Sequence, residues 1–518
     1  MSIFSRIFGA PAAPTAAPKG KTDKAKAYWD QAFEGARQRR RLANWQPSHA
    51  SVNQMLAEGG TQLRARARDL VRNNPYAASA IESFVANLVG AGIKPSILLT
   101  DGAAKDEIQQ AWRRWTDQAD YDGLTDFYGL QALVARALYE AGECFIRFHL
   151  DDATDGVPLR LQLLESEMLA YEKNEPVSDG IYIINGIEID QNGKRLAYHF
   201  YSVYPGDPYY RAEPLVYVRV PAEEVLHIYR AVRPGQMRGS PWLTAAITKL
   251  FFIDQYDDAE LDRKKLAAMY AGFITSPSPA EMFGEDSIDA PQLPSQDVGM
   301  PTLEPGTMQA LEPGEDIKFS EPAEVGSSYE PFQYRNLLAA CAGLGVPYMS
   351  VTGDLEKANY SSQRGGLVEF RNRIEQVQHS CMIFQMCRPI WVRWITEAVL
   401  CGEVNAPDFS ERRRKYLAVK WFPPRFDWID PQRDLAAEKL AVDNGFKARS
   451  DVIEESGFDP EEIDRRIQQD QEREKRLGLL LTDSPLGQSL SKTPAQNVDS
   501  PAAQDDRRVE DDIEKGSI

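Results

Sequence analysis

The sequence predicts a helix-rich α+β fold, and three observations carry that expectation. Apolar residues recur every three to four positions over several long stretches. A block of short β-like runs lies between residues 144 and 230. A helical pattern then continues without a breaker from Pro241 to Ala271.

Composition frames these elements. The chain has 518 residues, 43% hydrophobic and 26% charged, so a sizeable core can be buried. No apolar run reaches the roughly 18 residues that suggest a membrane span, and no membrane partner is expected. The five cysteines (Cys144, Cys341, Cys381, Cys387, Cys401) include no C-x-x-C pair and the five histidines no H-E-x-x-H. That pattern suits packed thiols in a reducing compartment and excludes an obvious metal site. A net charge of −18 argues against a broad basic face gripping nucleic acid, because such binding rests on Lys and Arg neutralising phosphates. It leaves room for a protein that touches DNA without holding it.

Residues 1–25 are rich in Ala, Pro and Lys and read as a disordered arm, with Arg6 breaking the only apolar patch. Between 64 and 92, Ala80, Phe84 and Leu88 repeat every four residues beside Ile81 and Val85. Asn74–Pro75 suits the start of that helix and Gly90–Gly92 its end. Helices are expected at 104–117 and 127–141, then strands at 144–150, 159–165, 180–190, 196–204 and 224–230. The "DQNGK" stretch at 190–194 supplies an Asn-Gly hairpin turn between two of them. Ser240 as N-cap and Pro241 at the first position then open the long helix to Ala271.

Residues 273–322 change character, with abundant Pro, Gly and Ser and "LEPG" at both 303–306 and 311–314. Short strands with tight turns are the natural reading. Helix returns at 328–345, with Tyr334, Leu337, Leu338, Cys341 and Leu344 on one stripe, and Gly345 and Pro347 stop it. Leu367, Phe370, Ile374, Val377, Cys381 and Phe384 then step by three and four, and Pro389 should kink or end that helix. Helices follow at 431–443 and 449–480, and the tail from 481 is polar, acidic and expected to be disordered.

Between the helical pattern at 328–345 and the one that begins at Leu367 sits "VTGDLEKANYSSQRGG", residues 351–366, wet and glycine-rich. It is either a surface loop or a segment whose mobility is used. In "DQYDDAELDRKK", Asp254, Asp258 and Asp262 lie four apart on one face, where like charges cost about 0.2–0.5 kcal/mol per pair. Three readings compete: a metal or carboxylate site, a solvated face, or acids that meet Arg263, Lys264 and Lys265 of a second copy or line a channel. The basic groups Arg37, Arg39, Arg40, Arg41 and Arg64, Arg66, Arg68 suit a nucleic-acid or protein contact or a solvated helix face. The tryptophans Trp112, Trp115, Trp391, Trp394, Trp421 and Trp428 read most simply as core or interface packing. Catalysis has little support: no G-x-x-x-x-G-K-S/T phosphate loop, G-x-G-x-x-G or G-x-S-x-G appears, and no cofactor is expected.

The order of parts, with five stretches in register, resembles the portal proteins of tailed bacteriophages in the lambda-like branch. The stretches are "RARDLVRNNPYAASAIESFVANLVGAGIKP" (66–95), "DFYGLQALVARALYEAGECFIRF" (126–148), "MRGSPWLTAAI" (237–247), "GVPYMSVTGDLEKANYSSQRGGLVEF" (345–370) and "KARSDVIEESGFDPEEI" (447–463). The resemblance implies a wing over 26–238, a stem helix over 239–272, a clip over 273–326 and a second stem helix over 327–348. It further implies a tunnel loop over 349–362, a long wing helix and following segment over 363–429 and a crown over 430–480. Implied roles follow. Thr352, Gly353, Asp354, Lys357, Asn359, Tyr360, Ser361, Ser362 and Arg364 would face duplex DNA. Glu304, Pro305, Gly306, Glu312, Pro313 and Gly314 would form the docking rim. The subunit would close into a homo-oligomeric ring, typically of twelve, in the virion, after assembly in the host cytoplasm. Its implied partners are the terminase large subunit, the major capsid and scaffold proteins, head-completion and tail adaptor proteins, and double-stranded DNA passing non-specifically. The alternatives are a phage DNA-processing enzyme, either a nuclease or the packaging motor, and another ring-forming head–tail adaptor.

Overall fold

The computed structural model describes residues 44, 46–151, 156–178, 180–207, 216–268, 272–275, 316–319, 329–356, 360–424 and 431–478. Helix α1 (Val52–Asn73) starts where the Ser51 side chain accepts from the Gln54 N–H at 3.2 Å. Asn74 both ends it and caps α2 (Pro75–Leu88), accepting from the Ala77 N–H at 3.0 Å, with Pro75 in the first turn as expected. Ala80, Phe84 and Leu88 are buried. Strand β1 (Lys94–Ile97), α3 (Gly102–Thr116) and α4 (Phe127–Glu140) follow.

Five of the six singled-out tryptophans belong to the main core. Trp112 lies 4.9 Å from Trp115, 5.1 Å from Trp391, 4.9 Å from Trp394 and 6.1 Å from Trp421, measured between ring centroids. Trp428 lies outside the described residues. This cluster ties α3 to chain almost 300 positions later, so it holds the two halves of the molecule together.

The two larger sheets among the described residues are both antiparallel. Strands β2 (Glu143–Leu150), β3 (Leu159–Leu164) and the later β9 (Val225–Tyr229) pair in the order β3-β2-β9. The other sheet is a five-stranded meander of β4 (Glu175–Ser178), β5 (Ile181–Ile184), β6 (Ile187–Ile189), β7 (Arg195–Tyr201) and β8 (Tyr217–Pro221). The single strand expected over 180–190 is instead a hairpin, β5 turning into β6 at Asn185 (φ 52°) and Gly186 (φ 79°). A two-residue turn of this kind needs positive φ at both central positions, which Asn-Gly supplies. The second Asn-Gly pair, at 192–193, turns β6 into β7 as expected, with the Asp190 carboxylate accepting from the N–H groups of Asn192 and Lys194, both at 2.8 Å.

The long helix after Ser240 is shorter than its pattern. A 3₁₀ turn over Trp242–Ala245 precedes α5 (Ile247–Ala268), and Ser240 caps neither. Pro241 is extended (ψ 138°), and the Trp242 indole donates to the Leu344 carbonyl at 2.9 Å. A tertiary contact thus overrides the local capping signal. At 22 residues α5 spans about 33 Å. Strands β10 (Gly272–Thr275) and β11 (Asp316–Phe319) pair antiparallel, which brings the two ends of the turn-rich insert together; the insert itself and both "LEPG" repeats lie outside the described residues. Helix α6 (Tyr329–Leu344) then returns along α5, with Leu337, Cys341 and Leu344 buried.

A short α7 (Tyr348–Thr352) leads to α8 (Tyr360–Val377), a π-helical stretch Gln378–Cys387 and α9 (Arg388–Leu400). The expected stripe is buried from Phe370 to Cys381 and then fails: Phe384 is 59% exposed, whereas Met382, Ile383, Met386 and Cys387 are buried. Hydrogen bonds reaching five residues back widen the turn and rotate the stripe. The same widening lets Pro389 pass without ending the helix, since the Arg388 N–H already reaches back to Ile383. The buried Gln378 amide donates to the Leu88 carbonyl at 3.0 Å and so closes the C-terminus of α2. Helix α10 (Phe409–Tyr416), strand β12 (Val419–Phe422, paired with β1), α11 (Pro431–Asp443), α12 (Arg449–Glu455) and α13 (Pro460–Leu477) complete the chain. The single helix expected over 449–480 breaks at Gly457 (φ 80°), after which Asp459 caps α13. Residues 1–25 and 481–518 lie outside the described residues.

Candidate functional site

The polar stretch that the sequence singles out is less of a loop than its composition suggests. Thr352 closes α7, Gly353 ends that helix in the left-handed region (φ 71°), and α8 already begins at Tyr360. Tyr360, Ser361, Ser362 and Arg364 are therefore helical, and only 353–359 separates the two helices. Lys357 and Asn359 lie outside the described residues. The N-terminal side is ordered by Asp354, which accepts from the Glu356 N–H at 2.9 Å and from the Tyr348 hydroxyl at 3.2 Å. Arg364 is engaged: its Nη2 donates to the Asp434 carboxylate of α11 at 2.9 Å.

On α5 the acids Asp254, Asp258 and Asp262 are all exposed. Partial burial, then the like charges of Asp258 and Asp257, push the Asp254 carboxyl above its ordinary range. The neighbouring cations find partners within the chain. Arg263 Nη2 lies 2.6 Å from Glu260, Lys265 Nζ lies 3.1 Å from Asp262, and the Lys264 ammonium sits 5.4 Å from the Tyr329 ring centroid. Asp257 accepts from the Tyr329 hydroxyl at 3.0 Å and from Gln333, fastening α5 to α6. Asp257, which periodicity did not single out, and Lys249, whose ammonium bonds the Asn336 side chain, thus carry polar contacts between the two helices, whereas Glu260 pairs within α5.

The pair also carries apolar residues on two sides. Ile247, Leu250 and Ile253 are buried in the core, yet Phe251, Phe252, Leu261 and Phe332 are 50%, 59%, 55% and 52% exposed. Large apolar groups facing both ways on one helix mark a surface made to be covered.

The root of α5 is fixed by an ion-pair node that sequence reasoning missed. Glu143, at the start of β2, and Arg238, just before the 3₁₀ turn, are both fully buried. Arg238 Nε lies 2.8 Å from Glu143 Oε1, and Nη2 bonds the same carboxylate. The Ser166 hydroxyl donates to Glu143 at 2.5 Å and the Gly239 N–H at 2.7 Å. A Cβ on Gly239 would lie 2.1 Å from the Gly142 carbonyl oxygen, so only glycine lets the segment leading to α5 approach β2 this closely. Burial pushes the Glu143 carboxyl up, but Arg238 and His227 overrule it and hold it well below the usual carboxylate range. The only local sign of the node was the glycine beside each charge, in "AGEC" and "MRGS".

His227 completes the node. Arg195 Nη1, always a donor, lies 3.2 Å from Nδ1, so the ring proton sits on Nε2 and is donated to Glu143 at 3.0 Å. Burial lowers the imidazole to about 4. Because the unfolded chain titrates near 6.5, it takes up a proton that the folded chain refuses as pH falls from about 6.5 to about 4. Stability from His227 is therefore complete above that window and falls by about 3 kcal/mol across it. Urea midpoints of wild type and His227→Gln, compared from neutral to mildly acid pH, should diverge by that slope; parallel curves would count against a neutral buried imidazole.

Of the basic trio on α1, only Arg66 is exposed. Arg64 is buried near Glu167 (3.5 Å), and Arg68 pairs with Glu165 and Glu167 at 3.0 and 2.9 Å. Arg37, Arg39, Arg40 and Arg41 lie outside the described residues. Among the described residues no group of three or more His, Cys, Asp or Glu could hold a metal, and no helix is long and apolar enough to cross a membrane.

Fold and site together define the class: a helix-rich α+β protein built around a paired-helix arm with a strand insert at one end and a short polar turn at the other. Residues 38–378 match the family described as phage portal protein, lambda family, and the chain belongs to that family. It is 27% identical over 490 residues to the "Probable portal protein" of Halomonas phage phiHAP-1, covering 92% of each chain. It is 22% identical to the portal protein of Escherichia phage N15, over 82% of this chain and 86% of the relative. Portal protein B of Escherichia phage lambda is likewise 22% identical, over 82% and 85%. The fold is distantly similar to chains in the neck of an empty gene transfer agent particle computed with C6 symmetry (TM-score 0.43, 16% identity, 81% of this chain and 98% of that one) and of a native particle computed with C12 symmetry (TM-score 0.42, 16% identity, 76% and 94%). Likenesses at that level add nothing to the assignment, which rests on the family match.

Proposed function

We propose that this portal protein is the repeating subunit of a ring at one capsid vertex, through which the terminase packages double-stranded DNA and from which it is later ejected. In this reading α5 and α6 are the stem, the β10–β11 hairpin is the base of the clip, and α11 to α13 form the crown. The observation that carries it is the exposed aromatic face of the stem, with Phe251, Phe252 and Phe332 open to solvent beside a helix already packed on the core. A neighbouring copy, repeated around an axis, would cover that face. Asp254 and Asp258 would then line the bore and repel the duplex, which suits a passage that must not hold its cargo.

Rim contacts of the clip with the terminase, wing contacts with capsid and scaffold, and later contacts with head-completion and tail proteins belong to the same proposal. So do residence in the virion and assembly in the host cytoplasm. The protein would contribute no reaction of its own, unlike a nuclease or packaging motor. Among the described residues, the grouping most like a catalytic site, Ser166 with Glu143 and His227, is sealed in the core, and its serine donates to the carboxylate rather than to the imidazole. Electron micrographs of the purified protein should show rings with a central hole; a compact monomer or a closed oligomer would overturn the reading. Deleting 353–361 should leave the rings intact while DNA packaging or retention fails. Loss of the rings would show that this turn serves assembly instead.

A further inference from the structure

Arg364 has the position of a DNA contact and the partner of a masked one. It sits one turn into α8, beside the polar turn, where a free guanidinium would be an effective phosphate ligand. Instead it is bonded at 2.9 Å to Asp434, seventy positions later on α11. Asp434 lies in the first turn of that helix, where the positive end of the helix dipole favours a carboxylate. The pair is partly open, with the arginine side chain 43% exposed and the aspartate 22%. Ion pairs that face water are weak, so a passing phosphate can compete for the guanidinium without keeping it.

We infer that Asp434 masks Arg364 from duplex DNA, so that α11 sets how strongly the passage holds its cargo. The inference rests on the reading of this turn as channel lining, and adds a control that the reading does not contain. A passage lined by a repeated arginine would grip, because each phosphate neutralised releases counterions and strengthens binding. A carboxylate supplied from a different helix removes that grip while leaving the charge available for brief contacts. It also links the occupancy of the bore to α11: a duplex that captures Arg364 breaks its bond to that helix, and movement of α11 unmasks Arg364.

The test uses the assembled full-length protein and a short mixed-sequence DNA duplex, with binding followed by anisotropy across a salt series. Asp434→Asn should bind more tightly than wild type. The slope of log affinity against log salt should steepen by about 0.9 for every arginine engaged. The double variant Asp434→Asn/Arg364→Gln should return to the wild-type slope. A slope unmoved in Asp434→Asn, or a steeper slope that survives in the double variant, would overturn the masking. A lowered melting temperature with no change in slope would assign Asp434 a helix-end role only and overturn it equally. Micrographs of the same samples separate the two levels of failure. Rings with unmoved slopes sink the masking alone, whereas absence of rings in wild type removes the channel and the masking with it.

Discussion

Replacing Arg238 with methionine should lower the stability of the folded subunit by roughly 3–5 kcal/mol, the cost of leaving one half of a buried ion pair uncompensated. Glu143 would keep the Ser166, Gly239 and His227 donors but lose its guanidinium bonds, in a site shut off from bulk solvent. The carbonyl of Asn185, which Arg238 Nη1 reaches at 3.2 Å, would lose a donor as well. Denaturant titration at neutral pH measures the loss, and a deficit below about 1 kcal/mol would show that the node is worth no more than a surface pair. Acidification supplies a second signature. Without Arg238 the Glu143 carboxyl loses its main counter-charge and titrates higher than in wild type. The variant then gains stability, relative to wild type, as pH falls and the carboxyl takes a proton. Gln236 and Asn53 add weight to this location: Asn53 accepts from the Met237 N–H at 2.8 Å, and Gln236 donates to the Arg238 carbonyl at 2.7 Å. Helix α5 is thus joined to the sheet by a segment pinned along its length.

Changing Phe251 and Phe252 together to serine should abolish ring assembly while leaving the subunit folded. Each ring is about half exposed in the single chain, so the fold loses little. Covering the remaining surface of each is worth about 1 kcal/mol at the usual hydrophobic coefficient, and that term recurs at every contact around a closed ring. Sedimentation velocity should show a monomer with an unchanged melting profile. Rings that persist in the double variant would place the subunit contact elsewhere and remove the observation on which the stem assignment stands.

Much of the fold was legible in the residues. The helices at 75–88, 102–116, 127–140 and 329–344 follow their apolar periodicity, and Asn74–Pro75 and Asn192–Gly193 did what their chemistry dictates. The hairpin at Asn185–Gly186 carried the same signal and was hidden only by the apolar run around it. Other misreadings had tertiary causes. Ser240–Pro241 is a good helix start on its own, yet the bond from Trp242 to Leu344 holds that turn in a different shape. Phe384 falls on the expected stripe, but the π stretch rotates the helix beneath it. Arg364 is implied by the resemblance to face DNA, and the partner that holds it lies seventy positions away.

By itself, then, the chain's sequence determined its class, the order and type of most elements, and the family to which it belongs. Those properties depend on neighbours within a turn or two, or on an ordered series of such stretches, and both survive in one dimension. Tertiary structure alone decided which charges are buried, which are paired and which apolar faces stay open. Glu143 meets Arg238 and His227 across 95 and 84 positions, and the work of taking those charges out of water is done by the whole surrounding core, to which no local pattern points.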